Sequence, residues 1–324
     1  DACMEAYRQS GCRIIVGWHV ADRPNPINLP VSSTGQAITR MERVIQDYNW
    51  SLDGRVKAWA MPFSWEFSTP ELLIAAKALA ERYGTGLTLH HNNSTASVQH
   101  CIELHGMRPT AYLERLGAVG PQVLLAHLLG LYQSEVEIMA RTGTKGVVCP
   151  TAALKGGAGM TNTGLLPEML DLGVAVGLGT DAGNNSNLIE TMRSMYLVAV
   201  LYKDARENTS AVPAETALEM ATIMGAKALG LEDEIGSIEP GKKADLVLFD
   251  TKRPEWRNLF NPVNNLVYNA DGRSVHTVIV DGRVVVEGHQ AQFVDEGELI
   301  RKVQELGEQL MSRTGVSFPS RWPM

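Results

Sequence analysis

The 324-residue sequence has no run of lysine or arginine, no uninterrupted apolar stretch long enough to cross a bilayer, and few cysteines. Without a basic run, and at a net charge of −7, it lacks the electrostatic footprint of a nucleic-acid binder. Without an apolar run of about 20 residues it gives no reason to expect a membrane span. The cysteines, Cys3, Cys12, Cys101 and Cys149, show neither paired nor zinc-ribbon spacing. They read as free thiols in a reducing cytoplasm, the expected location. No signal peptide is visible; DACMEAYRQSG reads as a helix already under way, so an upstream segment is expected.

What is present is a globular composition, 44% hydrophobic and 20% charged, with enough chain to bury a large α/β core and an appendage. Short apolar runs alternate with helical patterns, the signature of a parallel sheet wrapped by helices. The strands read at 12–20, 55–62, 86–91, 122–128, 145–149 and 174–180. Between them, a helix near 35–49 places Ile38, Met41, Ile45 and Tyr48 on one face. Another at 69–83 has Thr69 as cap, Pro70 in its first turn and Gly84 as its stop. Helices near 187–204 and 213–229 follow, with Asn187 as the expected cap of the first. From Gly236 the pattern changes to short alternating strands with an Asp281-Gly282 hairpin turn, and a helix near 295–312 ends the chain. The expected division is a barrel over 1–234, a small β-sandwich with a barrel-return segment over 235–290, and a helix with tail over 291–324.

The strand ends carry the chemistry. His19 ends the first strand, Phe63 and Trp65 follow the second, His90 and His91 end the third, and His127, Cys149 and Asp181 end the next three. In parallel α/β folds the carboxyl ends of the strands form the active-site face. Asp181, the first charge after VAVGLGT, reads as a buried carboxylate, which needs a cation or hydrogen-bond partner. His90, His127 and Asp181 together form a nitrogen and oxygen donor set suited to zinc or a similar ion. His90 is taken as the inward residue, because side chains alternate and His91 then faces away. A lone strand-end histidine such as His19 is ordinarily structural.

The segments VGLGTDAGNNSN, LLAHLLGL, CPTAALKGG and the tail GSIEPGKKADLVLFD…VIVDGRVVVEG resemble the amidohydrolase superfamily, in the branch of triazine hydrolases and S-adenosylhomocysteine, guanine and cytosine deaminases. The resemblance implies a (β/α)8 barrel with one divalent metal, zinc or alternatively iron. The metal is held by a His-x-His pair after the first strand, a His after the fifth, a His after the sixth and an Asp after the eighth. By position His90 and His127 are then the fifth- and sixth-strand ligands, and Asp181 the eighth-strand residue. The strands read above become barrel strands three to eight, and the His-x-His pair is expected upstream of Asp1.

The branch's deaminases carry His-x-x-Glu on the fifth strand, the Glu protonating the ring; here Asn93 stands in that place. An amide can orient a substrate but cannot deliver a proton. His91, Ser94 or an upstream residue are the alternative donors. Trp65, Asn93 and Cys149 are the expected substrate-binding positions, and Asp181 the proton shuttle. The expected function is metal-dependent hydrolytic deamination, or a related C–N cleavage, of a small nitrogen heterocycle by a homodimer. The alternatives are dehalogenation of a ring substrate and a non-catalytic binding or assembly protein.

Overall fold

Each strand read from the sequence forms, and each is shorter than its apolar run. The computed structural model describes residues 2–318, 321 and 322. The strands are β1 Ile14–Val16, β2 Val56–Ala58, β3 Leu87–His91, β4 Val123–His127, β5 Lys145–Val148 and β6 Val176–Leu178. β1 pairs with β2, and β3 to β6 form a parallel sheet in sequence order. Isolated bridges Ala60↔Leu87 and Ser64↔His90 carry the pairing from the β2 side to β3. The described residues therefore make a curved wall of parallel strands of the (β/α) type, and do not themselves close it into a ring.

The wall has two faces because side chains alternate. Val56, Ala58, Leu87, Leu89, Val123, Leu125, Val148 and Val176 turn outward and are buried against the helices. Each fully buried leucine contributes roughly 2 kcal/mol through the water it displaces. The inner face has a smaller cluster of Trp59, Leu124 and Ala228, with Ile15, Met61, Val147 and Leu229 beside it. Gly86 lets the Trp59 ring lie against the chain: a Cβ there would fall 2.3 Å from it.

The cover helices start where the capping chemistry says they should. Thr34–Tyr48 opens with a capping box between Ser33 and Gln36, and buries Ala37, Met41 and Ile45. Pro70–Arg82 is capped by Thr69, whose hydroxyl accepts from the Leu72 amide at 3.2 Å. Two helix expectations are corrected. The helix expected from 187 begins at Thr191 with Glu190 as its cap residue, while Asn187, at φ +60°, ends the short Gly183–Ser186 helix. The 213–229 helix breaks at Thr222 into Ala214–Ala221 and Ile223–Leu229.

The appendage is one antiparallel sheet of β7 Leu246–Phe249, β8 Val275–Val280, β9 Arg283–Glu287 and β10 Gln290–Ala291. Asp281 and Gly282 turn between β8 and β9 at φ +51° and +77°, the positive pair a tight hairpin requires. Arg13, just before β1, ties this sheet to the wall through Asp245 at 2.6 Å and Asp281 at 3.6 Å. No described helix is long and apolar enough to cross a membrane. The four cysteines are free.

Candidate active site

The register of β3 and β4 sets the site. His91 lies opposite His127, so His90 and His127 end neighbouring strands one step apart. Their rings stack with centroids 5.4 Å apart and planes at 20°. On the other side of His90 comes Phe63, stacked at 4.2 Å, and then Phe67 at 5.4 Å from Phe63. His19 joins the group with its centroid 5.4 Å from His90. The rim thus carries a set of rings in mutual contact, Phe67, Phe63, His90 and His127.

The imidazoles are prepared to give lone pairs. His90 Nδ1 lies 2.7 Å from the Phe63 carbonyl oxygen. A carbonyl only accepts, so Nδ1 carries the proton and Nε2 is left as the donor to a cation. Burial, followed by the neighbouring His90, holds the half-buried His127 imidazole down to about 4, against the opposing pull of Asp181. It is neutral at neutral pH, the form that binds metal. His127 and Leu128 have φ of +83° and +62°, backbone held in a sparsely populated region of the kind found at working sites.

Asp181 departs from expectation. It is half-buried rather than buried, because β6 ends at Leu178 and the chain leaves the wall before it. Its Oδ1 accepts from the Ala182 amide at 2.6 Å and its Oδ2 from Asn185 Nδ2 at 2.6 Å. Each carboxylate oxygen keeps a further lone pair for a cation or a water. Its charge acts on both His127 and Cys149.

The other expected residues are placed less uniformly. Cys149 lies beside Asp181 but is buried, and burial followed by the Asp181 charge pushes its thiol up to about 12; it is a packing residue at neutral pH, not a nucleophile. Asn93 is exposed, its Oδ1 accepting from Ser94 Oγ at 3.2 Å. Trp65 is corrected: it is 1% exposed, packed against His100, His105 and Tyr112, and does not face the rim. The loop after β2 folds back under the helix Thr95–His105 and takes the ring with it. His91 is removed as a proton donor for the same kind of reason: it is fully buried behind the sheet, with Nε2 2.9 Å from Thr110 Oγ1. Ser94 is spent as the cap of Thr95–His105, accepting from the Ser97 amide at 3.1 Å.

Two residues were not singled out by sequence reasoning. His19 was treated as structural, yet its ring joins the rim; its strand-end position was the available signal. Glu66, in the loop after β2, is half-buried near the His90 side of the rim, and nothing in its spacing announces it.

Among the described residues no three His, Cys, Asp or Glu side chains are gathered closely enough to hold a divalent ion. His90, His127 and Asp181 are donor types that suit such an ion, but the described residues do not gather the three into one ligand group.

The sequence profile described as the amidohydrolase family matches residues 1–285. A 5'-deoxyadenosine deaminase of Methanobrevibacter smithii is 31% identical over 307 residues, 94% of this chain and 69% of the relative. A 5-methylthioadenosine/S-adenosylhomocysteine deaminase of Syntrophobacter fumaroxidans is 31% identical over 300 residues, covering 93% and 67%. The crystal structure of an adenosine deaminase from Xanthomonas campestris with bound zinc superposes with a TM-score of 0.88 at 26% identity, covering 95% of this chain and 68% of that one. The chain thus spans about two thirds of the length of these proteins.

Proposed function

The chain belongs to the amidohydrolase family, and from that premise we propose that it is a metal-dependent hydrolase that removes the amino group of a nitrogen heterocycle, an aminated purine nucleoside before others. The observation that carries this reading is the pair of stacked strand-end imidazoles, His90 and His127, with Asp181 acting on the second. The relatives' names support the reaction and the substrate class. The zinc of the Xanthomonas structure supports zinc as the ion.

His90 through Nε2, His127 and Asp181 would hold the ion. When bound, it supplies Lewis acidity, bringing the pKa of a water from about 15.7 towards 7 and polarising the reacting carbon. The chain's own residues do the rest. Phe63, stacked on both His90 and Phe67, fixes the plane of the His90 imidazole and so the direction of its Nε2. Asp181 accepts the proton of the attacking water and returns it to the departing amine. Asn185 and the Ala182 amide aim the carboxylate while it does so.

The non-catalytic reading is disfavoured by the same residues, since a scaffold alone has no use for two stacked strand-end imidazoles, one of them on a backbone at φ +83°. The test is ammonia release by the full-length chain from amino-substituted purine nucleosides, pterins, pyrimidines and triazines. Ammonia is expected from an aminated purine nucleoside, and a chelator should stop it. Release that survives complete metal removal, or none from any compound, would defeat the proposal.

A further inference from the structure

Two histidines of the appendage have no part in the rim. His276, on β8, and His289, in the turn from β9 to β10, are both exposed. The backbone sets them side by side, the His289 amide donating to the His276 carbonyl at 3.1 Å. Their imidazoles meet with centroids 5.3 Å apart and planes at 71°.

That separation suits two ligands of one ion. Two imidazoles on a single tetrahedral ion, with metal–nitrogen bonds of about 2.0–2.1 Å, have ring centres about 5 Å apart. The steep angle between the planes lets two ring nitrogens approach a common point without the ring faces colliding. The tautomers are set as well. His289 Nδ1 lies 2.7 Å from the Val275 carbonyl oxygen. A carbonyl only accepts, so Nδ1 carries the proton and Nε2 keeps its lone pair. A bond of this kind from the remote ring nitrogen is how metal-binding imidazoles are ordinarily aimed. His276 Nδ1 lies 2.8 Å from Thr277 Oγ1, and by donating there it too leaves Nε2 to a ligand. Gly288 and His289 have φ of +58° and +67°, so two successive left-handed residues present the second ring to the first.

We propose that His276 and His289 form a second metal site, apart from the rim, for a transition-metal dication that favours imidazole, such as nickel, copper or zinc. Among the described residues no third His, Cys, Asp or Glu completes the group, so water fills the other positions of an ion held there. The bound ion joins β8 to the turn before the edge strand β10 and pins that turn to the sheet. With two protein donors, occupancy follows the free metal concentration and strengthens the appendage in proportion to it. The site does not depend on the deaminase reading.

The experiment is a calorimetric titration of the untagged full-length chain with nickel(II), set beside His276→Gln, His289→Gln and the double variant. The parent should bind about one nickel ion per chain more than the double variant, and each single substitution should weaken that site about tenfold or more. Because the reading is a difference between parent and variant, nickel that enters the rim cancels. His100→Gln, at an exposed histidine outside the appendage, should leave the titration unchanged. Equal nickel uptake by the parent and the double variant overturns the proposal, and so does an equal loss from His100→Gln.

Discussion

Asp181→Asn should cut turnover by about 10³-fold or more and leave the fold nearly as stable as before. The two effects separate because they draw on different properties of one side chain. For catalysis the residue must be anionic, both to help hold a divalent ion and to accept a proton from water. The amide can do the first only weakly and the second not at all. For stability the residue needs two acceptor oxygens, facing the Ala182 amide and Asn185 Nδ2. Asparagine keeps one of these, and the site is half-buried and open to water, so the loss is about 1 kcal/mol. Steady-state ammonia release and urea unfolding of the same preparation measure both. Full activity, or inactivity accompanied by unfolding, would remove Asp181 from the role given to it.

The largest stability effect is expected behind the sheet. Glu135 is 1% exposed, and its carboxylate receives Arg108 Nε at 2.6 Å, the Thr110 amide at 3.1 Å and the Tyr132 amide at 3.2 Å. Arg108 also donates to the Gly130 carbonyl, and so holds the turn that follows His127. Glu135→Ala leaves a mostly buried guanidinium and two amides without their acceptor. Removing one partner of a buried pair in this way costs about 3–5 kcal/mol. An exposed pair such as Arg301–Glu305, on the C-terminal helix, should contribute little, because water screens it and both long side chains must be ordered. Urea midpoints of the two single variants compare these cases. A Glu135→Ala protein within about 1 kcal/mol of the parent would show that the network is not holding the His127 turn.

The strands were legible because burial on both faces leaves near-continuous apolar runs, and their ends were legible because a polar residue interrupts each run. That is why the sequence alone places His90 and His127 at one rim. The alternation of side chains also sent His91 to the far face, where it lies against Thr110. Beyond the strand ends, sequence spacing loses its meaning. Trp65 follows a strand at the same distance that would put it over the rim, but the loop folds back and buries it under Thr95–His105. Asp181 looked buried because its strand is; the chain has already left the wall when it arrives. Asn187 carries the residue type of a helix cap, and caps the end of one helix instead of the start of the next. Residue identity fixed that it would cap, and tertiary geometry decided which terminus.

The metal content of the full-length protein tests the reading of this rim most directly. A strand-end pair of imidazoles with Asp181 predicts about one tightly held divalent ion per chain, lost from His90→Ala and His127→Ala, and a lower unfolding temperature after chelation. A full-length chain that purifies without stoichiometric metal, and whose unfolding a chelator does not change, would contradict it.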